Sequence, residues 1–262
     1  MLENELKSIY DRELRRGATT PGFKREETDL VVRQISQFGE KGFVIYSNLN
    51  ENNAREVIKH ELEYFRSLDQ EFEWKVHSYD KPDNLVDILQ EGGFTVDDPE
   101  ALMVMNLHDK HPLLLKKANP VIKEITDEKG IEEIISLEDE VWKVSHAELG
   151  ERLWRDKREN PESLFLYGVY DGNRLVSAAW MYLENGTSFA SMWGGSTLEG
   201  FRRKGYYSEL LAIRAKKAYE EGYQHLTVDA SPMSRPILEK CGFLCLAYSY
   251  GCQSPSFPKK PI

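Results

Sequence analysis

The stretch FRRKGYYSELL, Phe201–Leu211, sets Arg202, Arg203 and Lys204 directly before Gly205, where the apolar run SFASMWGGSTLE gives way to a helical one. A strand that turns into a helix leaves the first backbone N–H groups of the helix without partners, and with the helix dipole these make a site for an anion. Gly205 lets the chain approach a phosphate closely or take a positive φ, and the three basic side chains add charge around it. The chemistry this supports is the holding of a pyrophosphate. In isolation the same residues also read as a solvated basic loop, so the elements that carry them have to decide.

Those elements occur twice. ILQEGGF, Ile88–Phe94, returns as ILEKCGF, Ile237–Phe243. Before each copy lies a strand-like run, EFEWKVHSYD in the first and HLTVDAS in the second. Before each of those lies a helical run. In NNAREVIKHELEYFRSL, Val57, Ile58, Leu62, Phe65 and Leu68 share one face; in YYSELLAIRAKKAYEEG, Tyr207, Leu210, Leu211, Ala215, Ala218 and Tyr219 recur near a 3.6-residue period. With FVIYSNL and SFASMWGG as first strands, each copy reads strand, helix, strand, short helix, Gly-Phe, strand, a degenerate internal repeat. Where the second copy has its basic triplet and glycine, the first has Asn50, Glu51, Asn52 and Asn53, with Glu56 just beyond. The first copy is therefore not expected to hold a pyrophosphate. On its strand, Trp74 is expected on the opposite face from His77 and Tyr79.

A chain of 262 residues accommodates two domains with cores of their own, and the division is expected in HDKHPLLLKKANP, His108–Pro120, giving domains over 1–115 and 120–262. No apolar run reaches the length of a membrane span and the N-terminal residues are charged, so the expectation is a soluble, cytoplasmic protein with no membrane partner. With 44 acidic against 34 basic residues the net charge of −10 repels phosphate backbones, which argues against nucleic acid and mildly favours a cationic substrate. Six scattered histidines without an H-E-x-x-H pattern give no metal site. Cys241, Cys245 and Cys252 lack C-x-x-C spacing and read as small apolar thiols of a reducing compartment.

Set in this repeat, FRRKGYYSELL resembles the acyl-CoA loop of the GNAT superfamily of N-acyltransferases, whose signature is Arg or Gln, two residues, Gly, one residue, then Gly or Ala. Arg202 and Gly205 match the first two fixed positions, and Tyr207 stands at the last, so its ring must turn away from the phosphates. HLTVDAS, MSRPILEKC and Gly242-Phe243 match the family's next strand, short helix and turn in order and spacing. The resemblance covers about Val121 to Gln253. It implies an α/β (α+β) GNAT fold, a central mixed and splayed sheet flanked by helices. VIKEI would be its first strand, GIEEIISLEDEVWKV and ELGERLWRDKREN its two substrate-side helices, and LFLYGVYDGNRLVSAAWMYLE a hairpin; Gly194-Gly195 would be a bulge in the central strand. The first domain, with only the later half of this order, resembles a smaller degenerate GNAT-like domain without an acyl-CoA loop, as in tandem GNAT proteins.

The resemblance further implies acetyl-CoA as acyl donor, held by Gly195, Thr197, Leu198, Arg202, Arg203, Lys204, Gly205, Tyr206, Tyr207, Ser208 and Ser231, the last standing where the family's pantetheine-binding Asn falls. No metal is implied. Acetyl transfer from a thioester to an amine needs a neutral amine, a stabilised carbonyl oxygen and a protonated leaving thiol. The oxygen would be served by backbone N–H of the central strand near Gly195 and Thr197. Asp229 is the candidate proton acceptor, with Glu184 and His146 in reserve. The family's thiol-protonating Tyr falls at Leu238, leaving Tyr248, Tyr250 or water to substitute. The expected activity is N-acetyl transfer to a primary amine, of a small molecule or of a peptide or protein, by direct transfer in a ternary complex, with the first domain shaping the substrate cleft. A non-catalytic acyl-CoA-binding module is the alternative. The sequence leaves the oligomeric state open, a monomer of two tandem domains included.

Overall fold

A computed structural model describes residues 2–117 and 119–257. In chain order the elements are α1 (Leu2–Tyr10, continued by a π-helical stretch, Asp11–Gly17), β1 (Phe23–Glu27), β2 (Val31–Ser36), β3 (Gly42–Ser47), α2 (Ala54–Ser67), β4 (Phe72–His77), α3 (Leu85–Glu91), β5 (Thr95–Val96), β6 (Glu100–Asn106), α4 (Pro112–Leu115), β7 (Ile122–Ile125), α5 (Glu128–Trp142), α6 (Ala147–Glu159), β8 (Leu164–Asp171), β9 (Arg174–Leu183), β10 (Phe189–Thr197), α7 (Tyr206–Glu220), β11 (His225–Ala230), α8 (Arg235–Lys240) and β12 (Leu244–Gln253).

These elements form two compact units that are not consecutive halves of the chain. Of the described residues, the first contains 2–103, Asp229–Pro236 and 244–257; the second contains 104–228 apart from 118, and Ile237–Phe243. The chain thus leaves the first unit inside β6, earlier than the division expected between residues 115 and 120. It also returns to that unit with its last strand.

In the first unit β1, β2 and β3 form an antiparallel meander, β4 lies parallel to β3, and β12 pairs antiparallel with β4 from Ser249↔His77 to Gln253↔Glu73. The face of β4 that carries Phe72, Trp74 and Val76 joins Ala54, Ile58 and Phe65 of α2 in the core. Phe65 and Phe72 stack with ring centroids 4.1 Å apart. Burying these rings on a four-turn helix supplies the driving force for this layer. Glu61 lies in the same buried row of α2, and Arg33 of β2 neutralises it with bonds of 3.0 and 2.9 Å. His77 is on the other face of β4, against Tyr10 and Tyr79, as the alternation of the strand requires.

The second unit carries β7, β8, β9 and β10 as an antiparallel sheet with β11 parallel to β10. The β8–β9 hairpin turns at Gly172-Asn173, with Gly172 at φ +60°. Asp127 caps α5, its carboxylate accepting the Gly130 N–H at 2.8 Å, and α5 ends at Lys143 in the left-handed conformation. The end of β6 belongs here: Asn106 Oδ1 is 2.6 Å from His225 Nδ1 and the Leu107 N–H donates to Gln224 O.

The repeat reaches further upstream than the sequence reading placed it. Both units contain an antiparallel three-strand meander, a helix, a parallel strand and a short helix. What the first unit lacks is the strand and helix pair that opens the second, β7, α5 and α6. Its β1 escaped notice because FKREE is mostly charged and only Phe23 is buried on it.

Candidate functional site

The central strand of the second unit is built to part from its neighbour. β10 pairs with β11 only at Phe189↔His225, Ala190↔Leu226 and Ser191↔Thr227, yet continues to Thr197. On its other side the ladder with β9 shifts register, Gly194 facing Ala179 and Ser196 facing Ala178, so Gly195 is bulged out. Gly194 and Gly195 have φ of +70° and +102°. A Cβ on Gly194 would lie 2.4 Å from the Trp180 ring, and one on Gly195 would lie 2.8 Å from the Tyr207 ring. Both positions therefore need glycine for conformation and for space. The Tyr207 ring, placed by the first turn of α7, packs against the bulge.

From the end of β10 the chain makes a short 3₁₀ turn, Glu199–Phe201, then passes Arg203 at φ +63° and Gly205 at φ +88° into α7. Gly205 caps the helix without a side-chain acceptor, and a Cβ built on it would meet no atom within 4 Å. Arg202, Arg203, Lys204 and Gly205 are exposed. Arg202 Nε donates to Thr197 O at 3.1 Å and Lys204 Nζ stands 4.4 Å from the centre of the Phe201 ring. Among the described residues none of these three cations is paired with a carboxylate. Open space over a helix start, a glycine cap and unneutralised cations fit a pyrophosphate, with Tyr206, Tyr207 and Ser208 supplying the first turn.

Beneath the bulge Arg214 of α7 is buried, its Nη1 donating to Trp180 O at 2.8 Å and to Trp193 O at 3.1 Å, and its Nε to Leu210 O. Burial pulls this guanidinium down to about 10, which leaves it charged at neutral pH. It ties α7 to the carbonyl just before Gly194.

On the α5 side of the same strand Ser196 Oγ donates to Glu138 Oε2 at 2.8 Å, and Trp142 Nε1 donates to that oxygen at 2.9 Å. The indole N–H also lies 3.1 Å from Ser196 Oγ. Glu138 is 4% exposed, and its second oxygen, Oε1, is buried without a hydrogen-bond partner. Burial pushes the Glu138 carboxyl up from its ordinary range, against the opposing pull of Ser196, Trp142 and His146. His146 caps the start of α6, with its Nδ1 2.9 Å from Asp139 Oδ1.

The acetyltransferase (GNAT) family matches residues 131–243, which take in α5, the bulged strand and the basic loop. This segment is a GNAT domain. No curated protein matches the chain by sequence. Among solved structures the chain is similar to a GCN5-related N-acetyltransferase from Kribbella flavida, at 12% identity and a TM-score of 0.64, covering 97% of this chain and 94% of that one. A functionally unknown conserved protein from Staphylococcus epidermidis aligns at 12% identity and 0.67, over 95% and 98%. A tandem GNAT protein from the clavulanic acid biosynthesis pathway aligns at 12% and 0.60, over 93% and 86%. These likenesses show the fold, and they extend it over nearly the whole chain.

The GNAT domain brings together Gly195, Thr197 and the loop Arg202–Ser208. At Leu198 the N–H donates to Val176 O and the side chain is buried, so that amide is already used within the sheet. Thr197 is held by a 2.7 Å bond between its hydroxyl and Ser177 Oγ. Asp229 and Ser231 group with the first unit. There Asp229 Oδ2 is 3.0 Å from Lys75 Nζ and Oδ1 accepts from Ser249 Oγ at 3.0 Å. Both oxygens are engaged, and taking a proton would break an ion pair, which argues against the expected role. The Ser231 hydroxyl is used within the turn that leads to α8, 3.2 Å from Ser234 Oγ.

Glu184, in the β9–β10 hairpin, is at the far end of β10 from the bulge; burial raises its carboxyl against a hydrogen bond from Ser191. Leu238 is core. Tyr248 Oη accepts from Arg235, and Tyr250 packs against the core of the first unit. Among the described residues no group of His, Cys, Asp or Glu is placed to hold a metal ion, and no helix is long and apolar enough to cross a membrane. Sequence reasoning missed Glu138. The signal was there: Ile131, Ile134 and Glu138 fall at i, i+3 and i+7, an acid on the apolar stripe of a helix.

Proposed function

We propose that the protein transfers the acetyl group of acetyl-CoA to a primary amine of a small molecule, directly within a ternary complex. The observation that carries this reading is the loop Arg202–Gly205: a glycine-capped helix start with unpaired cations and open space over it, set in a GNAT domain directly after a splayed, bulged strand. In this reading the first amides of α7 with Arg203 and Lys204 hold the pyrophosphate, Arg202 braces the loop through Thr197 O, and the pantetheine arm enters where β10 leaves β11. The bulge takes Gly195 out of the ladder, so its backbone is the part of β10 available to orient the acyl carbonyl. Acetyl-CoA supplies the activated thioester.

The alternative, a non-catalytic acyl-CoA-binding module, draws support from buried Leu238 at the position of the family's usual proton donor. In the catalytic reading water returns that proton. Thiol release from acetyl-CoA, followed over a panel of primary amines with calorimetric titration of acetyl-CoA in parallel, separates the two. Binding without amine-dependent thiol release would favour the module, and absence of binding would remove both.

A further inference from the structure

We propose that Glu138 is the group that takes the proton from the acceptor amine, and that the Trp142 indole N–H holds the amine's place at that carboxylate until an acceptor arrives. This rests on the acyl-transfer reading above and assigns its missing base within the GNAT domain itself.

Three observations converge on it. The first is the state of the carboxylate: Oε2 accepts two neutral donors, Ser196 Oγ–H and Trp142 Nε1–H, while Oε1 is buried with no partner. A buried acceptor left without a donor lowers stability, and such a group in a native structure calls for a reason. A Gln here would make the same two contacts through its carbonyl oxygen and carry no buried charge. What the carboxylate adds is basicity.

The second is position. Ser196 is the residue directly after bulged Gly195, on the strand that runs into the basic loop. The carboxylate is thereby pinned to the strand beside which the acyl group would lie. The third is access. Trp142 is 51% exposed and is the last residue of α5, followed by Lys143 in the left-handed conformation and exposed Val144. A half-exposed side chain at a helix end thus contacts Glu138 on one side and solvent on the other, and its polar atom donates to the oxygen an ammonium would seek. The charged groups whose fields reach Glu138 are His146, at the start of α6, and Asp139, its neighbour on α5; these two also contact each other. Burial raises the carboxyl, which suits a group that must exchange a proton near neutral pH.

The reaction balances as follows. An ammonium displaces the indole N–H and passes one proton to the Glu138 carboxylate. The freed nitrogen lone pair forms the N–C bond to the acetyl carbonyl carbon, and the C–S bond breaks with its electron pair going to sulfur. The second N–H proton reaches the sulfur through water, and Glu138 returns the first to solvent. The products are the amide, the thiol and one released proton.

The test compares full-length wild type, Glu138→Gln and Glu138→Asp, with phenethylamine, spermidine and Nα-acetyl-lysine as acceptor probes, thiol release across pH, and calorimetry for acetyl-CoA. The expected result is that Gln lowers kcat/KM by about 10²-fold or more, replaces the acid limb set by the carboxylate with the one set by the amine's own deprotonation, and leaves acetyl-CoA affinity within about twofold. Asp, shorter but basic, retains more activity than Gln. A structural role predicts the reverse order, because Gln keeps the shape and Asp does not. Gln activity equal to wild type, or above that of Asp, overturns the assignment and leaves the acyl-transfer reading standing. Wild type that binds acetyl-CoA but acetylates none of the probes overturns that reading, and this one with it. Should Glu138→Gln not fold, Trp142→Phe decides: loss of the competing N–H is expected to lower the KM of the amine, and a raised KM overturns the proposal.

Discussion

The two strand-to-helix turns of the repeat start from the same geometry and end in opposite states. β3 pairs with β4 over three residue pairs, Gly42↔Phe72 to Val44↔Trp74, and then runs on, as β10 does beside β11. Each first strand also carries a register shift against the strand before it, between Val32 and Arg33 in one ladder and at Gly194/Ser196 in the other. In the first unit the turn before the helix is closed on itself by its own asparagines, although Asn53, like Gly205, stands at its helix start without a side-chain cap. Asn50 Oδ1 accepts the N–H groups of Asn52 and Asn53, Asn53 Oδ1 accepts that of Asn50, and the carbonyl of Ile45, at the shifted register, accepts Arg15 Nε at 2.9 Å. In the second unit the helix start is capped by a glycine with nothing over it, and the bulge holds a glycine. A splayed sheet is thus not a site. What sets the second turn apart is a glycine at φ +88° with open space where a Cβ would stand, next to three cations that no carboxylate neutralises among the described residues.

The largest effect should come from removing the first copy. Deleting residues 1–107 takes away β4, against which β12 registers from Ser249 to Gln253, and leaves that strand with an open edge. The expected product is insoluble or unfolded, read by expression, circular dichroism and calorimetry. A truncated chain that stays folded and binds acetyl-CoA would show that the second copy does not need the strand pairing seen here.

Next comes the loop itself. Gly205→Asp places a negative charge at the helix start, and a Cβ where φ is +88°, so acetyl-CoA affinity should fall about a hundredfold or more while the fold survives. The matching change in the first copy, Asn50→Ala, should cost about 1 kcal/mol of stability through the lost turn bonds and leave acetyl-CoA affinity unaltered. Titration should give one molecule per chain. Two comparable sites, or an affinity that follows Asn50, would erase the distinction between the copies.

The sequence made the loop and bulge legible because both depend on residues next to one another: a basic triplet against a glycine, and paired glycines in an apolar strand. The helices were legible by their period. What escaped was long-range or disguised. Pairing of β12 with β4 joins residues far apart in the chain, and no local pattern encodes it. The charged β1 buries Phe23 and little else. Asp229 read as a base from its place near the end of a strand, and only its partners, Lys75 and Ser249, show it as a counter-ion. Glu138 was one more acid in an acidic helix until its neighbours were known.

Asp229 therefore gives a prediction of intermediate size. Asp229→Asn removes the counter-ion of Lys75, whose ammonium is pushed up by that carboxylate against the opposing effect of burial, and should lower stability by roughly 1–3 kcal/mol. Little change in kcat is expected. A hundredfold fall in kcat with an unaltered Tm would return the proton acceptor to Asp229 and make the first unit part of the chemistry.

The smallest effect is in the pH dependence of stability, and it bears on Glu138 alone. Burial raises its folded-state carboxyl above the unfolded value of about 4.3. Between those two values the folded chain binds more protons than the unfolded one, so this group's contribution falls as pH rises through the window and stays low above it. Glutamine has no such dependence. The Tm of Glu138→Gln minus that of wild type, read by calorimetry, should then move in favour of the variant as pH goes from about 4 to 8. Other titrating groups are shared by the two chains and largely cancel in the difference. A difference that moves the other way would mean that the donors from Ser196 and Trp142, together with His146, outweigh burial. Glu138 would then be a held anion, and its assignment as the base would lose the support of its burial.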